Sequence, residues 1–174
     1  MKYLLTALMV FAFITIGCDN ATESNNEGEI IEHSTENVKT ATEYYSFANN
    51  SGSTDETADH DIVFYSVQYQ PAPQAPVISD PRFRAKDGMS LAILKDTKLE
   101  NVTDVPGSSE FVTNYTTETD SWYHMTDENI VLSNESVWVV NTADGKFPAF
   151  EIVNYYDDQG VSGVFSIVWK YLSE

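Results

Sequence analysis

The side chains able to hold a ligand or move a proton are unevenly spread along this chain. The densest group, Asp55, Glu56, Asp59, His60 and Asp61, stands just ahead of a strand-like run. It offers oxygen ligands to a divalent cation but lacks the spacing of a calcium loop. Asp157-Asp158, followed by Gln159-Gly160, falls in turn chemistry and reads as a solvated pair rather than acid–base machinery. There is no glycine-rich phosphate loop, no Gly-x-Ser-x-Gly elbow and no His-Glu-x-x-His helix. An enzyme therefore has no constellation behind it.

The single cysteine, Cys18, is placed for different chemistry. Lys2 supplies one positive charge, and Leu4 to Ile16 is an almost unbroken apolar run. As a helix that run is about 20 Å long, short of the ~30 Å a membrane crossing needs. A basic start, a short apolar stretch and Gly17 before Cys18 describe an export signal, residues 1–17. The junction resembles the lipobox of bacterial lipoproteins, with Thr15 where a larger aliphatic residue is usual. It implies that Cys18 is lipidated and tethers the chain to a membrane without spanning it.

Composition sets the remaining bounds. The 174 residues carry a net charge of −18, and removing residues 1–17 takes away only Lys2, leaving −19. That charge excludes nucleic acid as a partner, because phosphate binding needs a basic face. One cysteine excludes an internal disulfide. Residues 18–42 are rich in Glu, Asn, Ser and Thr, and are expected to form a disordered acidic stalk. Ile30-Ile31 and Val38 are the residues there that could instead start an edge strand.

The folded part, residues 43–174, reads as an all-β domain. Residues 61–69 alternate so that Val63, Tyr65, Val67 and Tyr69 share a face. Residues 136–141, 150–156 and 164–171 are rich in β-branched and aromatic side chains. Asp144-Gly145 and Gly160 supply turns between them, which predicts a three-stranded antiparallel meander. Residues 89–94 and 121–125 are shorter strand candidates. Pro71, Pro73, Pro76 and Pro81 predict an irregular loop over 70–82.

Several motifs then resemble one family. Glu43-Tyr44-Tyr45-Ser46-Phe47 and Asp61-Ile62-Val63-Phe64 are similar to paired strands of the HmuY family of haem-binding lipoproteins. Residues 97–106 resemble the segment ahead of that family's central region. Ser121-Trp122-Tyr123, the run from Val137 to Lys146, residues 150–156 and residues 163–171 resemble its C-terminal end in order and spacing. The resemblance covers residues 43–171 and the lipoprotein start. It implies a single antiparallel β domain with long hairpins that grip a flat ligand. It further implies haem capture at a bacterial outer-membrane surface and hand-over to a TonB-dependent receptor.

Haem needs apolar walls and one or two axial donors, commonly His or Met. The resemblance implies two histidines, but residues 106–122 are too few to hold the first, and the second falls near Asp127. Neither is carried over. The axial candidates are His124, Met125 and Met89, with His124 and Met125 on opposite sides of an extended strand. His33 lies in the expected stalk, outside any site. Arg82, Arg84 and Lys86, three of only nine basic residues, are the candidates for propionate contact. The alternative is a HmuY-like domain that binds a glycan, another tetrapyrrole or a partner protein.

Overall fold

The computed structural model describes residues 28–115, 122–126, 129–132 and 135–173. The expected signal and Cys18 lie outside them. The described residues contain twelve strands and no α-helix. In chain order these are β1 (Ile31–Ser34), β2 (Glu43–Ser46), β3 (Ser51–Ser53), β4 (Ile62–Tyr69), β5 (Ile78–Ala85), β6 (Ser90–Lys95), β7 (Val112–Thr113), β8 (Tyr123–Met125), β9 (Ile130–Leu132), β10 (Ser136–Asn141), β11 (Phe147–Tyr156) and β12 (Ser162–Leu172). A six-stranded sheet runs β1-β12-β11-β10-β6-β7, a four-stranded sheet runs β3-β2-β4-β5, and β8-β9 is a separate ribbon. The strand pairs are antiparallel.

The meander expected at the C-terminus is present as β10, β11 and β12. Its register sets Trp138 opposite Phe150 and Phe150 opposite Trp169. Side chains alternate across a strand, so this aromatic row faces one way and meets rings from the other sheet. Phe83 of β5 lies edge-on to Trp138 at 5.1 Å and to Phe150 at 5.4 Å, and Phe47 packs on Trp169 at 5.1 Å. The two sheets thus close over an aromatic core. The outer face of β10 and β11 carries a smaller cluster of Val137, Val139 and Ala149 with Leu99, Val102 and Leu172. Val63, Tyr65, Val67 and Tyr69 do share a face of β4, but the core takes the opposite one, with Ile62 and Phe64 fully buried.

Two boundaries differ from the sequence reading. The expected stalk is ordered from Gly28, and β1 adds to the open edge of β12, with Ile31 opposite Trp169 and Ser34 opposite Ser166. Thr35 and Phe165 then exchange two hydrogen bonds of 2.9 Å. His33, placed in that stalk, stacks on Tyr45 at 4.2 Å and bonds Glu43 at 2.6 Å. A composition argument counts apolar area and misses an unpaired sheet edge, which rewards even a polar segment with ladder bonds. The expected irregular loop also ends early, because β5 begins at Ile78 and contains Pro81 opposite Ser66. β5 is an edge strand, so proline's missing N–H leaves no partner unmet.

Asp61 supplies a stability prediction. Its Oδ2 accepts the Phe47 N–H at 2.8 Å. Burial raises its pKa, the Phe47 bond opposes this, Asp59 and Asp144 add to it, and Lys86 subtracts. A carboxyl whose folded pKa is raised binds more protons folded than unfolded, so its contribution falls as pH rises from the usual carboxylate range through the raised value. Asp61→Asn keeps an acceptor for Phe47 and removes that penalty. Thermal melts should show the variant more stable at pH 7, with the gain shrinking as pH falls toward the usual carboxylate range.

Candidate functional site

Three antiparallel hairpins end at one pole of the sandwich. β4 and β5 close through residues 70–77 beyond the Tyr69–Ile78 pair. β11 and β12 close through 157–161, where Asp157 Oδ1 accepts the N–H groups of Gln159 and Val161 at 2.9 and 2.7 Å. Asp157 is a turn residue, as the sequence suggested. The β8-β9 ribbon lies against both hairpins. Tyr123 donates its hydroxyl to Asp80 of β5. Tyr156 of β11 accepts the Ile130 N–H at 2.7 Å and donates to the Ile130 carbonyl at 3.0 Å. Each such bond is worth about 1 kcal/mol net, more for the one to Asp80, so the ribbon is held by a few kcal/mol.

This pole is unusually apolar for so acidic a chain. Tyr69 (46% exposed), Val77, Met125 (54%), Val131, Val153 and Val161 all present side chains to solvent. Single exposed apolar residues are ordinary; a set gathered where hairpins converge marks a binding surface. His124 is exposed on the ribbon, directly opposite Val131, and among the described residues its ring makes no hydrogen bond.

The candidate axial donors are not brought together. Met125 is cross-strand from buried Ile130, on the face opposite His124 and Val131, but is itself exposed and outside the core. Trp122 sits in a bend before β8 and is buried against Tyr155 and Phe165. Met89 is buried in the aromatic core just past the Ala85 end of β5. The hairpin tip lies at the Ile78 end, seven residue steps or about 23 Å away along the strand. One iron cannot take both His124 and Met89. The donor set fits a single axial bond from this ribbon, with His124 the free imidazole.

The basic candidates are divided as well. Arg82 grips Asp80 Oδ2 through Nε at 2.9 Å and through its terminal nitrogen at 2.7 Å, beside Tyr123. Arg84 pairs with Asp87 at 2.9 Å and Lys86 with Asp59 at 3.6 Å. Both line a cleft of about 390 Å3 with Tyr44, Glu56, Thr57, His60 and Asp87, at the other end of β5. The acidic group read as a cation site is used locally. Asp55 accepts the N–H and hydroxyl of Thr57, which hold its carboxyl below the usual range, and His60 Nδ1 bonds the Ala58 carbonyl. Among the described residues no three His, Cys, Asp or Glu side chains are grouped to hold a metal ion. Sequence reasoning passed over Val77 and Tyr69 as exposed apolar residues flanking a hairpin tip; the signal was the pairing of 62–69 with 78–85 across the proline loop.

A two-sheet β sandwich whose hairpin ends converge on an apolar surface is a scaffold for binding. The chain belongs to the HmuY family, described as HmuY protein, whose model matches residues 24–169. No curated protein matches the sequence. Among solved structures, the apo HmuY analog of Tannerella forsythia is 15% identical and superposes with a TM-score of 0.55, covering 86% of this chain and 100% of that one. A candidate lipoprotein of Bacteroides fragilis is 12% identical with a TM-score of 0.56, covering 87% and 92%. Apo PinO of Porphyromonas gingivitis is 12% identical with a TM-score of 0.54, covering 83% and 98%. These likenesses show the fold.

Proposed function

We propose that this chain is a lipid-tethered haem-binding protein that captures haem between its hairpin ends, with His124 as the axial donor. The observation that carries the reading is the exposed apolar residues at the hairpin ends together with His124, an exposed imidazole on the ribbon that has no hydrogen bond among the described residues. Family membership supports it. Haem, when bound, would supply an iron for His124 and a flat apolar face for Tyr69, Val77 and Val131 to cover. Binding without catalysis is the function, and delivery to a TonB-dependent outer-membrane receptor is the role proposed with it.

The position of the tether suits this role. Cys18, the proposed lipidation site, precedes Gly28 by ten residues, and Gly28 N–H donates to the Tyr171 carbonyl. Tyr171 is near the end of β12, about 30 Å along the strand from Ser162 and the hairpin tips. The chain thus enters the described fold at the pole opposite the hairpin ends, which favours a site facing the medium from the outer-membrane surface. Gel filtration of the purified chain with excess haem tests the binding itself. One haem per chain should co-elute; chain eluting free of haem would contradict the reading.

A specific observation favours a second reading. The separation of His124, Met125 and Met89 leaves no paired ligation, so the same apolar surface also suits a non-haem guest such as a glycan, another tetrapyrrole or a partner protein. Retention of a metal-free porphyrin as strongly as haem would support that alternative.

A further inference from the structure

A second ligand-sized space lies at the Ala85 end of β5, away from the hairpin ends. It is the cleft of about 390 Å3 between the loop ahead of β4 and the residues that close β5, with Tyr44 of β2 in its wall. That size falls within the roughly 300–1,000 Å3 usual for small-molecule sites. Backbone bonds join its sides: Asp61 N–H donates to the Tyr45 carbonyl at 2.8 Å, and Lys86 N–H to the Asp61 carbonyl at 2.9 Å. The cleft is thus built into the fold.

His60 is its most informative residue. The side chain lines the cleft although the residue is only 9% exposed. Nδ1 bonds the Ala58 carbonyl at 2.9 Å, and a carbonyl only accepts, so the ring proton is assigned to Nδ1. In the neutral ring Nε2 then presents a lone pair, and among the described residues nothing donates to it. Nor is Nε2 one of the orphan atoms sealed from solvent, so a ligand can reach it. The His60 and Tyr44 rings meet in a T at 5.0 Å, which helps to hold the imidazole in place.

The other walls carry unspent groups as well. Arg84 uses Nη1 for Asp87 at 2.9 Å and for the Ala85 carbonyl at 3.4 Å, while Nε and Nη2 have no partner among the described residues. Glu56 is exposed, and its carboxylate has no partner among them either. The Arg84–Asp87 pair is solvent-exposed, and pairs of this kind contribute little, so a ligand can displace it. Arg84 and Lys86 balance Glu56 and Asp87, so these walls carry no net charge on a chain of −18. An anion would meet as many carboxylates as cations. An apolar guest would find one aromatic ring among polar side chains. The set matches a neutral ligand whose groups both donate and accept, and hydroxyls are such groups.

We infer that this cleft binds a neutral sugar, whose hydroxyls donate to His60 Nε2 and Glu56 and accept from Arg84, with the Tyr44 ring against its C–H surface. Seven residue steps of β5 separate the cleft from the hairpin tip, and the inference does not rest on the haem reading.

The test is saturation-transfer NMR on the full chain with the methyl glycosides of glucose, galactose, mannose and N-acetylglucosamine, and with methyl glucuronoside as the anionic comparison. At least one neutral glycoside should bind in the millimolar range, and more tightly than the glucuronoside. Arg84→Met, which keeps the aliphatic stem, and Glu56→Ala should each weaken that binding at least about tenfold, the loss expected for a charge-assisted hydrogen bond. Glu56 has no partner in the described fold, so its variant should melt with the parent and report binding alone. Failure of all four neutral glycosides to bind overturns the inference. Tighter binding of the glucuronoside also overturns it, and identifies an anion site. Neutral binding that survives both substitutions puts the sugar elsewhere and overturns the cleft.

Discussion

Phe150→Ala should lower the unfolding free energy by about 3–5 kcal/mol, the range for deleting a buried phenyl ring. The ring is fully buried in β11 and is the joint between the sheets. It stacks on Trp138 at 5.5 Å within its own sheet and meets Phe83, Phe47 and Phe64 from the other side at 5.4, 6.0 and 6.4 Å. Removing it leaves a void that rigid rings on neighbouring strands cannot collapse into. Against a total stability of roughly 5–15 kcal/mol, the loss consumes a large fraction. Urea denaturation should show a lower midpoint with an unchanged slope. A cost under about 1 kcal/mol would mean that the sheets are not packed through this ring. Val161→Ala, at an exposed turn, should stay within about 0.5 kcal/mol of the parent.

The second large effect concerns the ligand. His124→Ala should weaken haem binding by at least about a hundredfold, equivalent to about 2.7 kcal/mol. Stability should change by no more than about 0.5 kcal/mol, since the ring is exposed and has no hydrogen bond to lose among the described residues. Met89→Leu should behave oppositely, because its side chain belongs to the core. It should cost under about 1.5 kcal/mol of stability and leave haem affinity and spectrum unaltered. Met125→Leu separates the remaining candidate, and haem affinity is expected to survive it. Isothermal titration on the three variants checks the set. Loss of binding in Met125→Leu with retention in His124→Ala would transfer the axial role to the thioether.

Strands with two local signals were legible in the sequence. β10, β11 and β12 combine runs of β-branched and aromatic residues with Asp144-Gly145 and Gly160, both at positive φ in the structure. β1 was legible only as an alternative, the edge strand that Ile30-Ile31 could start, because the largely polar Ile31–Ser34 becomes a strand only where β12 leaves an edge unpaired. Pro81 hid β5 in the same way, since its tolerance depends on which strand ends the sheet. The site shows a similar division. Alternation correctly placed His124 and Met125 on opposite faces of β8. No local pattern could report that Met89 lies at the far pole, or that Arg84 and Lys86 line a separate cleft.

The most direct measurement is the visible absorption of haem titrated into the purified chain and into His124→Ala. A shifted Soret band that saturates at one haem per chain, and is lost in His124→Ala, is the expected result. A free-haem spectrum at every ratio, in both the ferric and ferrous states, would contradict haem as the guest of the hairpin ends.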